Sequence, residues 1–194
     1  MIKRDKYLND LINRMHNGMI KVVTGIRRCG KSYLIFNIFK NYLIGQGVLE
    51  SHIITVELDQ RKDRKYRNPD TLLDFIEDSI TDQEPYYILL DEVQMLEEFE
   101  EVLNSLLHIT NVDIYVTGSN SKFLSKDVIT EFRGRGDDIH IYPLTFKEFM
   151  QVYEGDVYHG WAEYTVYGGL PLTVTMKSEE QKIRYLEKLF EETY

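Results

Sequence analysis

The segment VVTGIRRCGKSY, residues 22–33, holds two glycines, a lysine and a serine in the spacing G-x-x-x-x-G-K-S that begins at Gly25. Glycines let a backbone wrap closely around phosphate oxygens and expose a row of N–H groups at the positive end of the following helix. A lysine at this position reaches the β- and γ-phosphates, and the serine hydroxyl completes the coordination of Mg²⁺. The spacing therefore predicts a nucleotide site in which Lys31 holds phosphates and Ser32 is a metal ligand.

The loop lies between an apolar stretch that predicts a buried strand, residues 19–25, and an amphipathic stretch that predicts a helix, residues 33–43. This context favours a nucleotide site over a turn that matches the spacing by chance. At the variable positions the backbone is expected to do most of the binding. The candidate nucleotide-binding residues of this segment are Gly25, Ile26, Arg27, Arg28, Cys29, Gly30, Lys31, Ser32 and Tyr33.

A second candidate motif is the acidic pair Asp91 and Glu92, which ends the apolar stretch YYILLDE, residues 86–92. At the end of a buried strand, Asp91 is placed to bind Mg²⁺ through its water shell, and Glu92 to orient and deprotonate an attacking water. An isolated acid pair is more often a solvated strand end. The apolar residues before it and the glycine loop upstream favour the functional interpretation.

The following strand ends in VTGSN, residues 116–120. In a parallel sheet this end lies beside the acidic pair, so Ser119 or, preferably, Asn120 is predicted to hold the attacking water or to touch the γ-phosphate. The alternative is a turn with a helix cap, which the same residue types favour.

The remaining periodicities predict an α/β fold, because strands alternate with helices and are apolar on both faces, as in a parallel sheet covered on both sides. The other strands are expected at residues 52–58, 86–92, 112–118 and 138–144, and the other helices at residues 3–16, 70–81, 99–107 and 120–132.

From residue 145 onward the pattern is helical, which predicts two parts: an α/β core with the glycine loop at 1–144, and a helical segment at 145–194, called the lid below. The last helix stays amphipathic to Tyr194 without a stop signal. We therefore expect the lid to be incomplete and the chain to continue in a longer protein.

Composition narrows the range of partners. The formal net charge of -9 and the pI near 5.1 oppose general coating of nucleic acid or anionic membranes unless basic residues are locally concentrated. A single cysteine, Cys29, rules out an intrachain disulfide, and the histidines show no ligand spacing, so no metal beyond Mg²⁺ is expected. The start lacks the apolar core of a signal peptide, and we expect a cytoplasmic protein without a membrane partner.

Basic residues are locally concentrated in RKDRKYR, residues 61–67, where Tyr66 is available for stacking. It could bind nucleic acid or an acidic partner. A short basic segment in an acidic protein is, however, more often solvated or internally paired.

Together, TGIRRCGKS, ILLDEVQ, VTGSNS, FRGRGDDIHIYPLTFKEF and YGGLPL make nearly the whole chain resemble the prokaryotic AAA+ ATPases. The resemblance is to the branch related to archaeal ATPases and STAND signalling ATPases, whose members often continue into a nuclease-like domain of unknown function. It implies a parallel sheet of five strands in the order 5-1-4-3-2, followed by a helical lid.

The resemblance also implies roles for three further residues. In STAND-like relatives the proline matching Pro171 approaches the nucleotide base from the lid; the alternative is a helix-breaking loop. Arg133 and Arg135 lie roughly where AAA+ relatives carry an arginine finger, which stabilises phosphoryl charge; the alternative is a pair of solvated arginines. STAND relatives usually carry an arginine after the fourth strand, whereas this chain has Ser119 and Asn120.

The sequence thus predicts Mg²⁺-dependent ATP hydrolysis, with ATP and ADP as ligands and with self-association or a protein partner. A nucleotide-gated switch with little turnover is one alternative. A small P-loop kinase is another, because Glu57 and Asp59 end the second strand, where such kinases bind an acceptor or metal.

Overall fold

The computed structural model describes residues 2–118 and 134–193. In these residues a five-stranded sheet is formed by β1 (Ile20–Thr24), β2 (Ile53–Glu57), β3 (Tyr86–Asp91), β4 (Val112–Thr117) and β5 (Gly136–His140). Neighbouring strands are parallel, and their order is β2-β3-β4-β1-β5. Read from the opposite edge this is 5-1-4-3-2, so the predicted α/β fold and strand order are confirmed.

The register of the sheet brings the carboxyl ends of several strands together. Val23 near the end of β1 pairs with Thr117 at the end of β4. Glu57, which ends β2, pairs with Asp91, which ends β3. All residues of β1 and β3 are buried, which explains why their sequences are nearly continuous apolar runs. The segments that follow these strands leave one edge of the sheet, where parallel α/β folds bind ligands.

Contacts divide the chain into two compact units, and the sheet belongs to the larger one, Asp5–Arg27 with Lys31–Ile141. Its helices are α1 (Asp5–Ile12), α2 (residues 31–45, made of Lys31–Tyr33, Leu34–Phe39 and Lys40–Gly45), α3 (Pro69–Ser79) and α4 (Phe99–Leu106), with 3₁₀ helices at Glu50–His52, Arg61–Arg67 and Val93–Met95. Helix α3 begins as expected for Asn-Pro, because the Asn68 side chain accepts a hydrogen bond from the Thr71 N–H (3.0 Å) and Pro69 needs no partner.

Two boundaries differ from the sequence prediction. Helix α2 starts at Lys31 rather than at residue 33, and Leu34–Phe39 within it is π-helical, a variant that sequence periodicity does not reveal. Strand β5 spans Gly136–His140 rather than residues 138–144, because its partner β1 already ends at Thr24. The helix predicted at 120–132 lies outside the described residues.

The smaller unit comprises Met1–Arg4, Arg28–Gly30 and Tyr142–Tyr194. Its helices are α5 (Phe146–Phe149), α6 (Val157–Tyr167), α7 (Pro171–Thr175) and α8 (Glu179–Thr193). A capping box between Thr145 and Glu148 starts α5, and the Asp156 carboxylate caps α6. Within the part of the chain described, no helix has the length and apolar character needed to cross a membrane.

Candidate functional site

The glycine loop connects the end of β1 to the start of α2 and folds around the ammonium group of Lys31. Lys31 Nζ donates hydrogen bonds to the carbonyl oxygens of Gly25 (3.0 Å) and Ile26 (3.1 Å), and the residue is 4% exposed. Gly25 (φ +143°) and Gly30 (φ +101°) adopt backbone conformations that side-chain-bearing residues rarely accept. The two glycines of the motif are therefore needed at the two ends of the loop.

Ser32 and Asp91, the two predicted metal residues, are in direct contact. Ser32 Oγ donates a hydrogen bond to Asp91 Oδ1 (2.9 Å), although the residues are far apart in sequence. The register explains the contact, because Asp91 ends β3 at the edge of the sheet where α2 begins. A carboxylate and a hydroxyl are oxygen donors of the kind that Mg²⁺ prefers.

Electrostatics make this pair a suitable neighbour for a cation. Burial raises the pKa of Asp91, and the charges of Glu92 and Asp59 raise it further. The hydrogen bonds from Thr117 and Ser32 oppose this increase. A nearby divalent cation would stabilise the charged carboxylate and supply the opposite charge that the buried group lacks. The residues present therefore fit Mg²⁺.

Thr117, at the end of β4, is a site residue that the sequence analysis missed. Its hydroxyl donates a short hydrogen bond to Asp91 Oδ1 and accepts one from the backbone N–H of Glu92 (3.0 Å). It is fully buried. Thr117 thereby joins the ends of β3 and β4. The available signal was a threonine at the end of a buried strand, directly before Gly118.

Glu92, the predicted base, has an unusual backbone conformation. Its φ of +51° and ψ of +48° are left-handed, and the chain turns there from β3 into the 3₁₀ helix Val93–Met95. The turn places Gln94 next to Glu92, and Gln94 Nε2 donates a short hydrogen bond to Glu92 Oε2. The Gln94 Oε1 atom is buried without a hydrogen-bond partner among the described residues. Gln94 is thus a second residue beside the candidate base that the sequence analysis missed.

The apex of the loop, Arg28–Gly30, belongs to the smaller unit. Arg4, also missed, is buried there: Nη1 donates to the Cys29 carbonyl (3.0 Å), Nη2 to that of Tyr142 (2.7 Å), and Nε pairs with Glu148 (3.1 Å). Cys29 is itself buried. The loop is therefore anchored through its backbone by an N-terminal residue.

Pro171 occupies the first position of α7 in this same unit. A Cβ atom placed on Gly30 would lie 3.8 Å from Pro171 Cγ and 3.7 Å from Arg4 Nη1. Pro171 thus lies beside the second glycine of the loop. Of the other loop side chains, Ile26 points to solvent (48% exposed), whereas Arg28 lies over the Tyr185 ring (5.2 Å to its centroid) and pairs with Glu192 (3.6 Å). Tyr33, in α2, is 41% exposed.

Arg135 lies away from the glycine loop and Asp91. Its carbonyl accepts a hydrogen bond from the Ile20 N–H (2.8 Å), where β1 begins, and its Nη1 donates to Asn104 Oδ1 (3.2 Å). This is the amino edge of the sheet, opposite to Asp91. Ser119, Asn120 and Arg133 lie outside the described residues, so their predicted roles stay predictions.

Comparison with known proteins gives relatives and a fold. An uncharacterized protein of Haemophilus influenzae is 34% identical over 98% of this chain, which spans about half (49%) of the length of that relative. The structure of the Aeropyrum pernix ORC1 protein in complex with DNA matches with a TM-score of 0.54 and 14% identity, over 78% of this chain and 48% of that one.

A DNA polymerase III gamma subunit-related protein of Thermotoga maritima matches with a TM-score of 0.56 and 11% identity, over 88% of this chain and 55% of that one. At such identities both structures support the fold alone. The sequence pattern of one family, described as AAA domain, matches residues 17–150, which include the glycine loop, Asp91 and all five strands. This chain therefore belongs to the AAA domain family.

Proposed function

We propose that this chain binds ATP with Mg²⁺ and hydrolyses the bond between the β- and γ-phosphates. The observation that carries the proposal is the contact of Ser32 with Asp91 at the mouth of a glycine loop that surrounds the Lys31 ammonium. The groups that we assign to phosphate and to Mg²⁺ thus lie at one edge of the sheet, and membership of the AAA domain family supports the same assignment.

In the proposed mechanism each residue has a separate task. The loop backbone and Lys31 hold the phosphates, and Ser32 and Asp91 position Mg²⁺. Bound Mg²⁺ neutralises the charge that develops on the phosphate oxygens. Glu92 accepts a proton from the attacking water while the water oxygen forms a bond to the γ-phosphorus and the bond to the β–γ bridging oxygen breaks. The products are ADP and inorganic phosphate.

The remaining predicted residues enter the proposal as follows. Asn120 senses the γ-phosphate, and Pro171 contacts the base. Arg135 lies at the amino edge of the sheet, so we assign it, or Arg133, to the site of a neighbouring copy of the chain rather than to its own. Hydrolysis would then require self-association.

Replacing the candidate base tests the proposal. Glu92→Gln is expected to bind Mg·ATP with the affinity of the wild type and to hydrolyse it about 10²–10⁴ times more slowly, the usual contribution of a general base. Glu97→Gln is the matched control, because Glu97 is an exposed glutamate of the same segment. Binding is measured by titration calorimetry and hydrolysis by phosphate release. Full hydrolysis by Glu92→Gln contradicts the assignment.

A nucleotide-gated switch with little turnover is the second candidate. It is favoured by the hydrogen bond that Gln94 Nε2 donates to the Glu92 carboxylate, because this bond engages the candidate base. Tight ATP binding without phosphate release by the wild type would support it. The kinase alternative is weaker, because the Glu57 carboxylate pairs with Lys62 (3.0 Å). Phosphate transfer to a small molecule in preference to water would revive it.

A further inference from the structure

The 3₁₀ helix Arg61–Arg67, called the basic helix below, sorts its side chains into three rows. A 3₁₀ helix has three residues per turn, so that residues three apart lie above one another. One row contains Asp63 and Tyr66, which are partly buried. The other two rows are basic throughout, with Arg61, Arg64 and Arg67 in one and Lys62 and Lys65 in the other.

The inner row fastens the helix to the larger unit. Asp63 Oδ2 accepts a hydrogen bond from the Glu57 backbone N–H (3.0 Å). The Tyr66 ring packs on Phe75, with ring centroids 4.5 Å apart. The Asp63 carboxylate is therefore hydrogen-bonded within the larger unit, and the Tyr66 ring packs on Phe75 rather than being free to stack on a base.

Two of the basic residues are also engaged. Lys62 Nζ pairs with the Glu57 carboxylate at 3.0 Å. Arg67 Nε donates a hydrogen bond to the Leu58 carbonyl (2.8 Å). These contacts hold the basic rows facing outward at the end of β2.

The remaining three cations face solvent. The side chains of Arg61, Arg64 and Lys65 are exposed and form no hydrogen bond or ion pair with any residue of the described part of the chain. Lys65 Nζ lies over the Tyr66 ring, 4.7 Å from its centroid. With a rise of about 2 Å per residue, Cα atoms of successive members of a row lie about 6 Å apart along the helix. A short, regular array of unpaired positive charge results.

The surroundings favour a nucleic acid over an acidic protein as the ligand. Protein interfaces have an apolar centre, whereas nucleic-acid interfaces are polar and positively charged. No large apolar side chain between residues 58 and 73 is exposed, and Met95, which is 36% exposed, lies against Arg67 with its Sδ 3.9 Å from Nη2. Guanidinium groups match phosphate oxygens with two parallel hydrogen bonds.

We propose that the basic helix binds the phosphodiester backbone of nucleic acid, through Arg61, Arg64 and Lys65 and without reading the bases. The net charge of -9 repels a polyanion from the rest of the molecule, so that binding is confined to this helix.

The place of the basic helix in the fold links it to the nucleotide site. It follows β2, whose last residue, Glu57, pairs with Asp91, and the Leu58 N–H donates a hydrogen bond to the Asp91 carbonyl (3.3 Å). Both candidate sites thus lie at one edge of the sheet. The binding itself requires no ATP hydrolysis and is tested without nucleotide.

The test measures fluorescence anisotropy of labelled DNA oligonucleotides of about 20 nucleotides, single-stranded and duplex, at several salt concentrations. The variant is Arg61→Gln/Arg64→Gln/Lys65→Gln. The control, Lys147→Gln/Lys177→Gln/Lys188→Gln, changes the net charge by the same amount at three exposed lysines elsewhere. Thermal unfolding checks that both variants remain folded.

The wild type is expected to bind with a slope of log K against log salt of roughly −2 to −3, as three phosphate contacts predict. The basic-helix variant should bind at least about tenfold more weakly, while the control stays within about threefold of the wild type. The comparison of single strand with duplex identifies the favoured form. Equal loss in both variants, no binding by the wild type, or equally tight binding of polyglutamate overturns the proposal.

Discussion

Thr117 connects the two acidic residues of the candidate site. Its hydroxyl donates a hydrogen bond to the Asp91 carboxylate and accepts one from the backbone N–H of Glu92. Thr117→Val keeps the shape and removes both hydrogen bonds. We expect a higher Mg²⁺ requirement and hydrolysis slowed by about 10- to 100-fold, as for other groups that orient metal ligands. The measurement is ATP turnover against Mg²⁺ concentration.

Thr117→Ser is the control for this prediction, because it keeps the hydroxyl and should restore most of the wild-type behaviour. An unchanged Mg²⁺ dependence in Thr117→Val would show that the hydroxyl does not position Asp91.

Gln94 holds the carboxylate of Glu92 through its side-chain amide. Without this contact the carboxylate is less well oriented, so Gln94→Leu should lower kcat by roughly tenfold, a part of what a general base contributes. KM for ATP should stay unchanged, because the side-chain hydrogen bond of Gln94 goes to Glu92 and not to the glycine loop. Steady-state kinetics beside Gln46→Leu, an exposed glutamine, checks this. A rise in kcat would mean that the contact inhibits hydrolysis.

At the residue scale, the motif spacing was enough to predict that Ser32, next to Lys31, lies close to Asp91, and the two side chains are in contact. Thr117 and Gln94 could not be found in this way. The role of Thr117 depends on the register of β4 against β3, and that of Gln94 on the left-handed turn at Glu92, neither of which a local pattern specifies.

Among the elements, β1 and β4 are joined by a buried ion pair between Lys21 and Asp113, near the amino ends of the two strands and away from the candidate nucleotide site. Lys21 donates a short hydrogen bond to Asp113 Oδ1, and Asp113 Oδ2 accepts from Tyr115 Oη (2.8 Å) and from the His16 N–H (3.1 Å). Burial lowers the pKa of Lys21, and Asp113 counteracts this shift.

Asp113→Asn leaves the Lys21 charge buried without its partner. We expect a loss of about 3–5 kcal/mol in the free energy of unfolding, measured in urea. The double variant Lys21→Met/Asp113→Asn removes both charges and should recover much of that loss. If the double variant is as unstable as the single one, the cost does not come from the unpaired charge.

The elements also differ in how well the sequence predicts them. Apolar runs and helical periodicity located the strands and most helices, because burial of one or both faces is a local property of the sequence. The pairing of Lys21 with Asp113 depends on which strands are neighbours, and the 3₁₀ geometry of Arg61–Arg67 on contacts to β2 and Phe75. Neither the ion pair nor the 3₁₀ geometry could therefore be predicted from a local sequence pattern.

For the whole molecule, the order of the strands came from resemblance to a family, since alternation of strands and helices alone fits several parallel sheets. The structure agrees with that order. Placement of Arg135 at the amino edge adds a consequence for assembly: if Arg135 acts on phosphate, that phosphate is bound by a neighbouring copy of the chain.

The most direct test of ATP hydrolysis by this chain is single-turnover release of phosphate from Mg·ATP, with protein in excess and its concentration varied, beside Lys31→Ala. We predict phosphate release by the wild type, at a rate per chain that rises with protein concentration, and none by Lys31→Ala. Release that persists in Lys31→Ala, or bound ATP that stays intact in the wild type at every concentration, would contradict the account.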